Sequence, residues 1–92
     1  MGYGAAAKGM TFLNTTGLKL DYIVDDNPLK HGLLTPGSDI PIGPVENLPR
    51  GEGAIVVLAW NFWAEIIERI RRLEGSGHTV VRFLPAFDMV MT

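Results

Sequence analysis

The stretch Gly2-Tyr3-Gly4-Ala5-Ala6-Ala7-Lys8-Gly9 is a glycine turn that runs straight into an alanine run. Glycine at positions 2 and 4 lets the backbone turn sharply and come close to a ligand. Alanine has the highest helix propensity, so a helix is expected from about Ala5. A helix start carries free N–H groups and a partial positive charge, which attract phosphate and other anions. The register Gly2-x-Gly4-x-x-Ala7 fits the glycine fingerprint of dinucleotide-binding units. Asp25 and Asp26 stand at the end of the next strand-like run, where that fingerprint places an acid for a ribose hydroxyl. Read without a ligand, the same residues make a tight helix start. The fingerprint ordinarily follows a strand, and only Met1 precedes Gly2. The first strand of the sheet is therefore expected to be truncated.

Working outward, the chain alternates helix and strand. Ala6, Met10 and Leu13 recur at helical spacing through Thr16, and Gly17 is placed for a left-handed cap. Gly9 inside that helix suggests close packing against a strand or ligand. Leu18 to Val24 alternates as a strand and stops at Asp25-Asp26-Asn27-Pro28. Residues 28–50 hold five of the six prolines and so read as a long irregular segment, with a helical turn possible near Val45–Leu48. Ala54 to Trp60 is continuously apolar, as in a strand buried on both faces. Asn61 is placed to cap a helix from Phe62 to about Glu74, with Phe62, Ile66, Ile70 and Leu73 as its apolar stripe and Trp63 and Ile67 beside them. Glu65–Arg69 and Glu68–Arg72 are spaced as ion pairs on its outer face. Gly75-Ser76-Gly77 ends it, His78 reads as a solvent-facing turn residue, and Thr79 to Leu84 is the last long strand. The tail, Phe87 to Met91, is apolar enough for one more. This order implies an α/β fold, a small Rossmann-like domain of three layers with a mostly parallel sheet, spanning residues 1–92 with 86–92 as a tail.

Composition bounds the function. The 92 residues, 47% hydrophobic and 20% charged, describe an ordinary globular chain. A net charge of −2 offers no footprint for nucleic acid or an anionic membrane. There is no cysteine, so neither a disulfide framework nor a thiolate metal site is expected, and His31 and His78 are too far apart to suggest a metal. No stretch reads as a signal peptide or a membrane span, so a cytoplasmic location is the default.

Several blocks in order, GYGAAAKG, DYIVDDNPLKHG, TPGSDIPI and LAWNF, resemble the C-terminal domain of bacterial sugar C-methyltransferases. The resemblance runs from about Gly2 to Pro85. It implies an S-adenosylmethionine-dependent enzyme acting on deoxysugars carried on thymidine diphosphate. It also implies a division of labour, in which an N-terminal zinc-binding part and a middle domain holding the methyl donor precede this one. The C-terminal domain then helps to hold the nucleotide-sugar, binds no cofactor itself, carries no catalytic residue and does not methylate alone. Members of the family carry a central strand before the glycine turn. Its truncation is expected to leave a slot between the strands at Leu18–Val24 and Ala54–Trp60. The tail would fill that slot, either in its own chain or, as the favoured form, in a homodimer.

The candidate substrate-binding residues follow. Gly2, Tyr3, Gly4 and Ala5 form the turn, and Lys8 adds a point charge for a diphosphate. Asp25, Asp26 and Asn27 stand at a strand's carboxyl end, as ligand-binding groups or as a self-bonded polar turn. Lys30 and His31 lie in the loop that follows, where His31 is a packing residue unless a partner is near. Trp60, Asn61 and Phe62 stand at a second strand-to-helix junction, where an aromatic either stacks on a base or packs in the core. The alternatives to the substrate-holding reading are a free-standing nucleotide or coenzyme A module and an interaction domain with an empty pocket.

Overall fold

A computed structural model describes residues 1–37, 39–48, 53–72, 77–84 and 86–92. Strands β1 (Gly2–Tyr3), β2 (Ile23–Val24), β3 (Ile42–Gly43), β4 (Ala54–Val57), β5 (Thr79–Arg82) and β6 (Asp88–Met91) form one sheet in the order β3-β2-β1-β4-β5-β6. All neighbours are parallel except β5 and β6, which are antiparallel. Helix α1 (Ala7–Thr16) joins β1 to β2, and α2 (Trp63–Arg72) joins β4 to β5. Successive strand residues point to opposite faces, and the core is split accordingly. Tyr3, Val24, Ile55, Val57 and Val80 pack with Ile66, Ile67 and Ile70 of α2. Ile23, Ile42 and Leu58 pack with Met10 and Leu13 of α1. The result is the three-layer, mostly parallel α/β arrangement expected from the alternation of elements.

The first strand is short, yet it occupies the centre of the sheet. Gly2 and Gly4 donate to the carbonyls of Tyr22 and Val24 at 2.8 Å, while Val56 and Leu58 donate to Met1 and Tyr3 at 2.9 Å. The slot left for the tail or a second chain is thus filled by the chain's own first residues. The tail takes the outer edge instead, where Arg82 and Asp88 form an ion pair at 2.6 Å. This placement also corrects His78, which is 1% exposed rather than solvent-facing. Thr92 folds back over it, its N–H donating to the His78 carbonyl at 2.9 Å and its hydroxyl accepting from the His78 N–H at 3.1 Å.

Several boundaries shift for local reasons. Helix α1 begins at Ala7 because Gly4 is left-handed (φ 92°) and Ala6 is extended (φ −86°, ψ 150°). It ends as expected, with Gly17 at φ 72° donating to Leu13. Strand β2 begins at Ile23 rather than Leu18, since the short β1 offers it few partners. Asn61 does not cap α2. It lies within a 3₁₀ turn, Trp60–Phe62, and Phe62 is 59% exposed instead of leading the apolar stripe. Glu68 pairs with Arg71 at 3.2 Å, and the side chain of Arg69 is drawn to Asp26. Leu73 and the Gly75-Ser76 stop lie outside the described residues. A 3₁₀ turn does form at Val45–Asn47.

Candidate functional site

The turn after β1 is built so that only glycine fits at position 4. Its φ is left-handed, and a Cβ there would sit 2.6 Å from the Ala59 Cβ at the end of β4. Real Cβ atoms do not approach that closely, so β1 and β4 can draw together at this level only with glycine. Gly9 plays the matching role on the helix: a Cβ there would meet the Leu58 Cβ at 2.7 Å. The close-packing position of the fingerprint is therefore Gly9, whereas Ala7 is exposed. Gly2 lies within β1, and a Cβ there would meet the side chains of Leu20 and Ile23.

Asp25, at the end of β2, is buried and holds this turn. One carboxylate oxygen accepts from the Ala5 N–H at 2.6 Å and the other from the Asn27 N–H at 2.8 Å. Lys30 stands 3.7 Å from the same carboxylate and donates to the Ala5 carbonyl at 2.8 Å. His31 closes the loop from behind, with Nε2 2.7 Å from the Asp25 carbonyl. A carbonyl only accepts, so Nε2 carries the proton. His31 thus has a partner, the backbone of Asp25, and serves to shape the loop.

Asp26 faces the other way, into a cleft of about 400 Å³ at the carboxyl ends of β1, β2 and β4. Its carboxylate accepts from the Tyr3 hydroxyl at 3.1 Å and pairs with Arg69 of α2. Burial, together with the Asp26 charge, pushes the Tyr3 phenol up to about 12. Tyr3 is accordingly a neutral donor at ordinary pH. The Arg69 guanidinium is held more firmly protonated by its hydrogen bond with Tyr3 and by the Asp26 charge. The cleft therefore presents hydroxyl, carboxylate, guanidinium and ammonium groups around one opening, with Asn27 and Lys30 at its side.

Above the cleft sits the start of α1. Ala6 occupies the N-cap position and has no side-chain oxygen to cap the helix, and the first turn holds no acid. Among the described residues no side chain caps its leading N–H groups, and the nearest carboxylate, Asp25, sits one residue before the cap on the Ala5 N–H. Ala6, Ala59 and Phe62 form a wall shared between the cleft and a second cavity of about 560 Å³. That cavity is lined by Leu58, Trp60, Asn61 and Leu84, with Lys8 on its rim.

Apart from Gly2, inside β1, and His31, behind the loop, the predicted residues fall into two groups joined by Ala5. Tyr3, Gly4, Asp25, Asp26, Asn27 and Lys30 line the polar cleft, and Lys8, Trp60 and Asn61 line the apolar cavity. Ala5 contributes its backbone to the turn between them. Arg69, Ile66 and Leu84 are lining residues that sequence reading did not single out for the site, and Phe62, weighed there as a stacking or a packing residue, lines both cavities. Arg69 gave no signal, because its spacing from Glu65 matches an ordinary surface pair.

The sheet, parallel over β3-β2-β1-β4-β5, defines the class of open α/β domains, and its cleft lies where the strand order reverses beside β1. Within that class, the chain belongs to the C-methyltransferase C-terminal domain family, whose model matches residues 1–85. It is also 36% identical, over 85 residues, to the C-methyltransferase NovU of Streptomyces niveus, covering 87% of this chain and 20% of that protein. The chain therefore spans about a fifth of the length of that relative. Among the described residues, no helix is long and apolar enough to cross a membrane.

Proposed function

We propose that this chain holds the nucleotide-sugar substrate of an S-adenosylmethionine-dependent sugar C-methyltransferase. The observation that carries the reading is the uncapped start of α1, set at the switch point directly above a cleft of hydroxyl, carboxylate and guanidinium groups. A diphosphate suits the helix start, and a hydroxylated sugar suits Asp26, Arg69 and Tyr3. Thymidine diphosphate is the carrier that the family resemblance suggests.

The methyl donor supplies an electrophilic methyl group, and this chain is a poor place for it. The acid that would read its ribose, Asp25, already has both oxygens engaged by backbone N–H groups. We accordingly place the donor, and the groups that move protons during transfer, outside this chain. Its own contribution is binding and orientation: Gly4 brings the strand ends together, Asp25 fixes the turn, and Tyr3 and Arg69 aim the Asp26 carboxylate.

Calorimetric titration with thymidine diphosphate–glucose tests the reading. Binding in the micromolar to millimolar range is expected, weakened severalfold by Arg69→Ala. Incubation with labelled S-adenosylmethionine and the same nucleotide-sugar should yield no methylated product from the chain alone. Tighter binding of coenzyme A or NAD than of any nucleotide-sugar would favour a general nucleotide module instead, and no binding of any of them an interaction domain.

A further inference from the structure

The two cavities flanking the start of α1 differ in chemistry, and a nucleotide-sugar differs in the same way from end to end. We propose that the Trp60 cavity takes the base of a nucleoside diphosphate whose phosphates sit at the start of α1, leaving the Asp26–Arg69 cleft for the sugar. The inference rests on the nucleotide-sugar reading above and assigns the direction in which the ligand lies.

A base is a flat, largely apolar ring with a polar edge, and it gains most from an aromatic face with an amide nearby. The larger cavity offers that combination: the Trp60 indole, Leu58 and Leu84 as apolar flanks, and the Asn61 amide, which both donates and accepts. The indole is braced from behind. Its ring meets Phe12 edge to face at 6.1 Å, and Phe12 stacks on Phe83 at 5.7 Å. A ring held by such a row is preorganised and loses little freedom on binding. Phe62 stands 59% exposed on the shared wall, where a bound ring would cover it. Lys8 lies in the first turn of α1 on the same rim, beside the helix N–H groups, as a phosphate flanking the base would require. The polar cleft has the opposite character. Its carboxylate and guanidinium suit sugar hydroxyls, and stacking a base against that pair would leave both without hydrogen-bonded groups opposite them. Ala6, Ala59 and Phe62 border both cavities, so a ligand lying along the helix start would touch both.

The test is amide and indole NMR on the intact chain with three probes: thymidine diphosphate, inorganic pyrophosphate and glucose 1-phosphate. The Trp60 indole resonance is assigned by Trp60→Phe, and Trp63 serves as the internal reference. Thymidine diphosphate is expected to shift the Trp60 indole and the Phe62 amide. Pyrophosphate should shift the amides of Ala6, Ala7 and Lys8 only, and glucose 1-phosphate should add Asp26 and Asn27. Trp60→Leu should weaken thymidine diphosphate about tenfold and leave pyrophosphate unchanged, since stacking on an aromatic ring is worth that order. If Trp60→Leu does not fold, the wild-type indole shift and Phe62→Ala carry the same comparison. Thymidine diphosphate that binds while leaving the Trp60 indole unmoved would overturn this assignment and spare the nucleotide-sugar reading. Failure of both thymidine diphosphate and pyrophosphate to bind would overturn the two together.

Discussion

The two halves of the sheet are held by different means. On one side, β4 and β5 are four-residue strands that pair along their length, and three isoleucines of α2 are buried against their side of the sheet. On the other, β1, β2 and β3 are two residues each. There the chain relies on side chains to do what long ladders do elsewhere: Asp25 ties the β1–α1 turn to the end of β2, and Tyr3 ties β1 to Asp26. The contrast teaches how short strands are held. The half with β4 and β5 is a scaffold of strand pairing and apolar packing, and the half with β1, β2 and β3 adds to its own apolar packing against Met10 and Leu13 a set of polar ties that line the cleft.

Breaking the scaffold should have the largest effect. Ile70 is fully buried between α2 and the sheet. Ile70→Ala removes buried carbons and leaves a cavity, a change that costs about 3 kcal/mol. For a domain of this size that lowers Tm by roughly 10–25 °C, on the order of 4–8 °C per kcal/mol. Circular dichroism melts check it. A loss below about 1 kcal/mol would mean that α2 is not the scaffold.

Next in size is the glycine turn. Gly4→Ala meets both a left-handed φ and the Ala59 side chain, and is expected to cost about 2 kcal/mol while also abolishing nucleotide binding. Its effect should exceed that of Gly17→Ala, where φ is also left-handed but a Cβ meets nothing within 4 Å. Urea titration of both variants gives the comparison directly. Equal losses would show that the close approach of β1 to β4 does not matter.

How much of this was legible beforehand depended on how local the cause is. The isoleucines of α2, the Gly17 cap and the glycine turn are written in adjacent residues, and each appears where expected, whereas the apolar run from Ala54 to Trp60 is strand only over Ala54–Val57 and enters a 3₁₀ turn at Trp60. Strand β2 was read too long because its extent is set by a partner, β1, distant in sequence and short. His78 was misread because Gly77-His78 has the composition of a turn, while its burial comes from Thr92 folding back. The polar residues of the cleft were found from their position at strand ends. Arg69 was not, since its attachment to Asp26 joins residues 43 apart in the chain.

The polar ties can be broken by alkali. Tyr3 titrates near 10 when unfolded and is pushed up to about 12 when folded. The folded state therefore keeps a proton that the unfolded state has released. The contribution is whole below pH 10 and is lost as pH rises from 10 through 12. The loss approaches about 3 kcal/mol, scaled from the shift at about 1.36 kcal/mol per unit. Absorbance titration of the phenolate follows the group, and Tyr3→Phe should remove that part of the alkaline slope. Arg69→Ala should move the Tyr3 phenol higher still, because the Asp26 charge is then unbalanced. A Tyr3 that titrates near 10 in the folded chain would show that neither its burial nor its tie to Asp26 holds.

The smallest expected effect on stability is the sharpest test of the division between the halves. Phe62 stands in the β4–α2 connection, inside the scaffold half by sequence, yet its side chain is 59% exposed on the wall between the two cavities. A buried phenylalanine truncated to alanine costs about 3–5 kcal/mol, and an exposed one falls within about 0.5 kcal/mol of zero. Phe62→Ala should therefore leave Tm within a few degrees of the parent, since about 0.5 kcal/mol corresponds to no more than that. It should at the same time weaken thymidine diphosphate severalfold, because a bound ring would cover the exposed phenyl face. Ile67→Ala, one turn further along the same segment and 6% exposed, provides the opposite pattern. It is expected to lose about 2–4 kcal/mol of stability, with affinity unchanged where the chain remains folded. Were Phe62→Ala to lower Tm by 10 °C or more, about 1–2 kcal/mol, the connection would belong to the core. The boundary between scaffold and binding surface would then have to be drawn on the cleft side of Phe62.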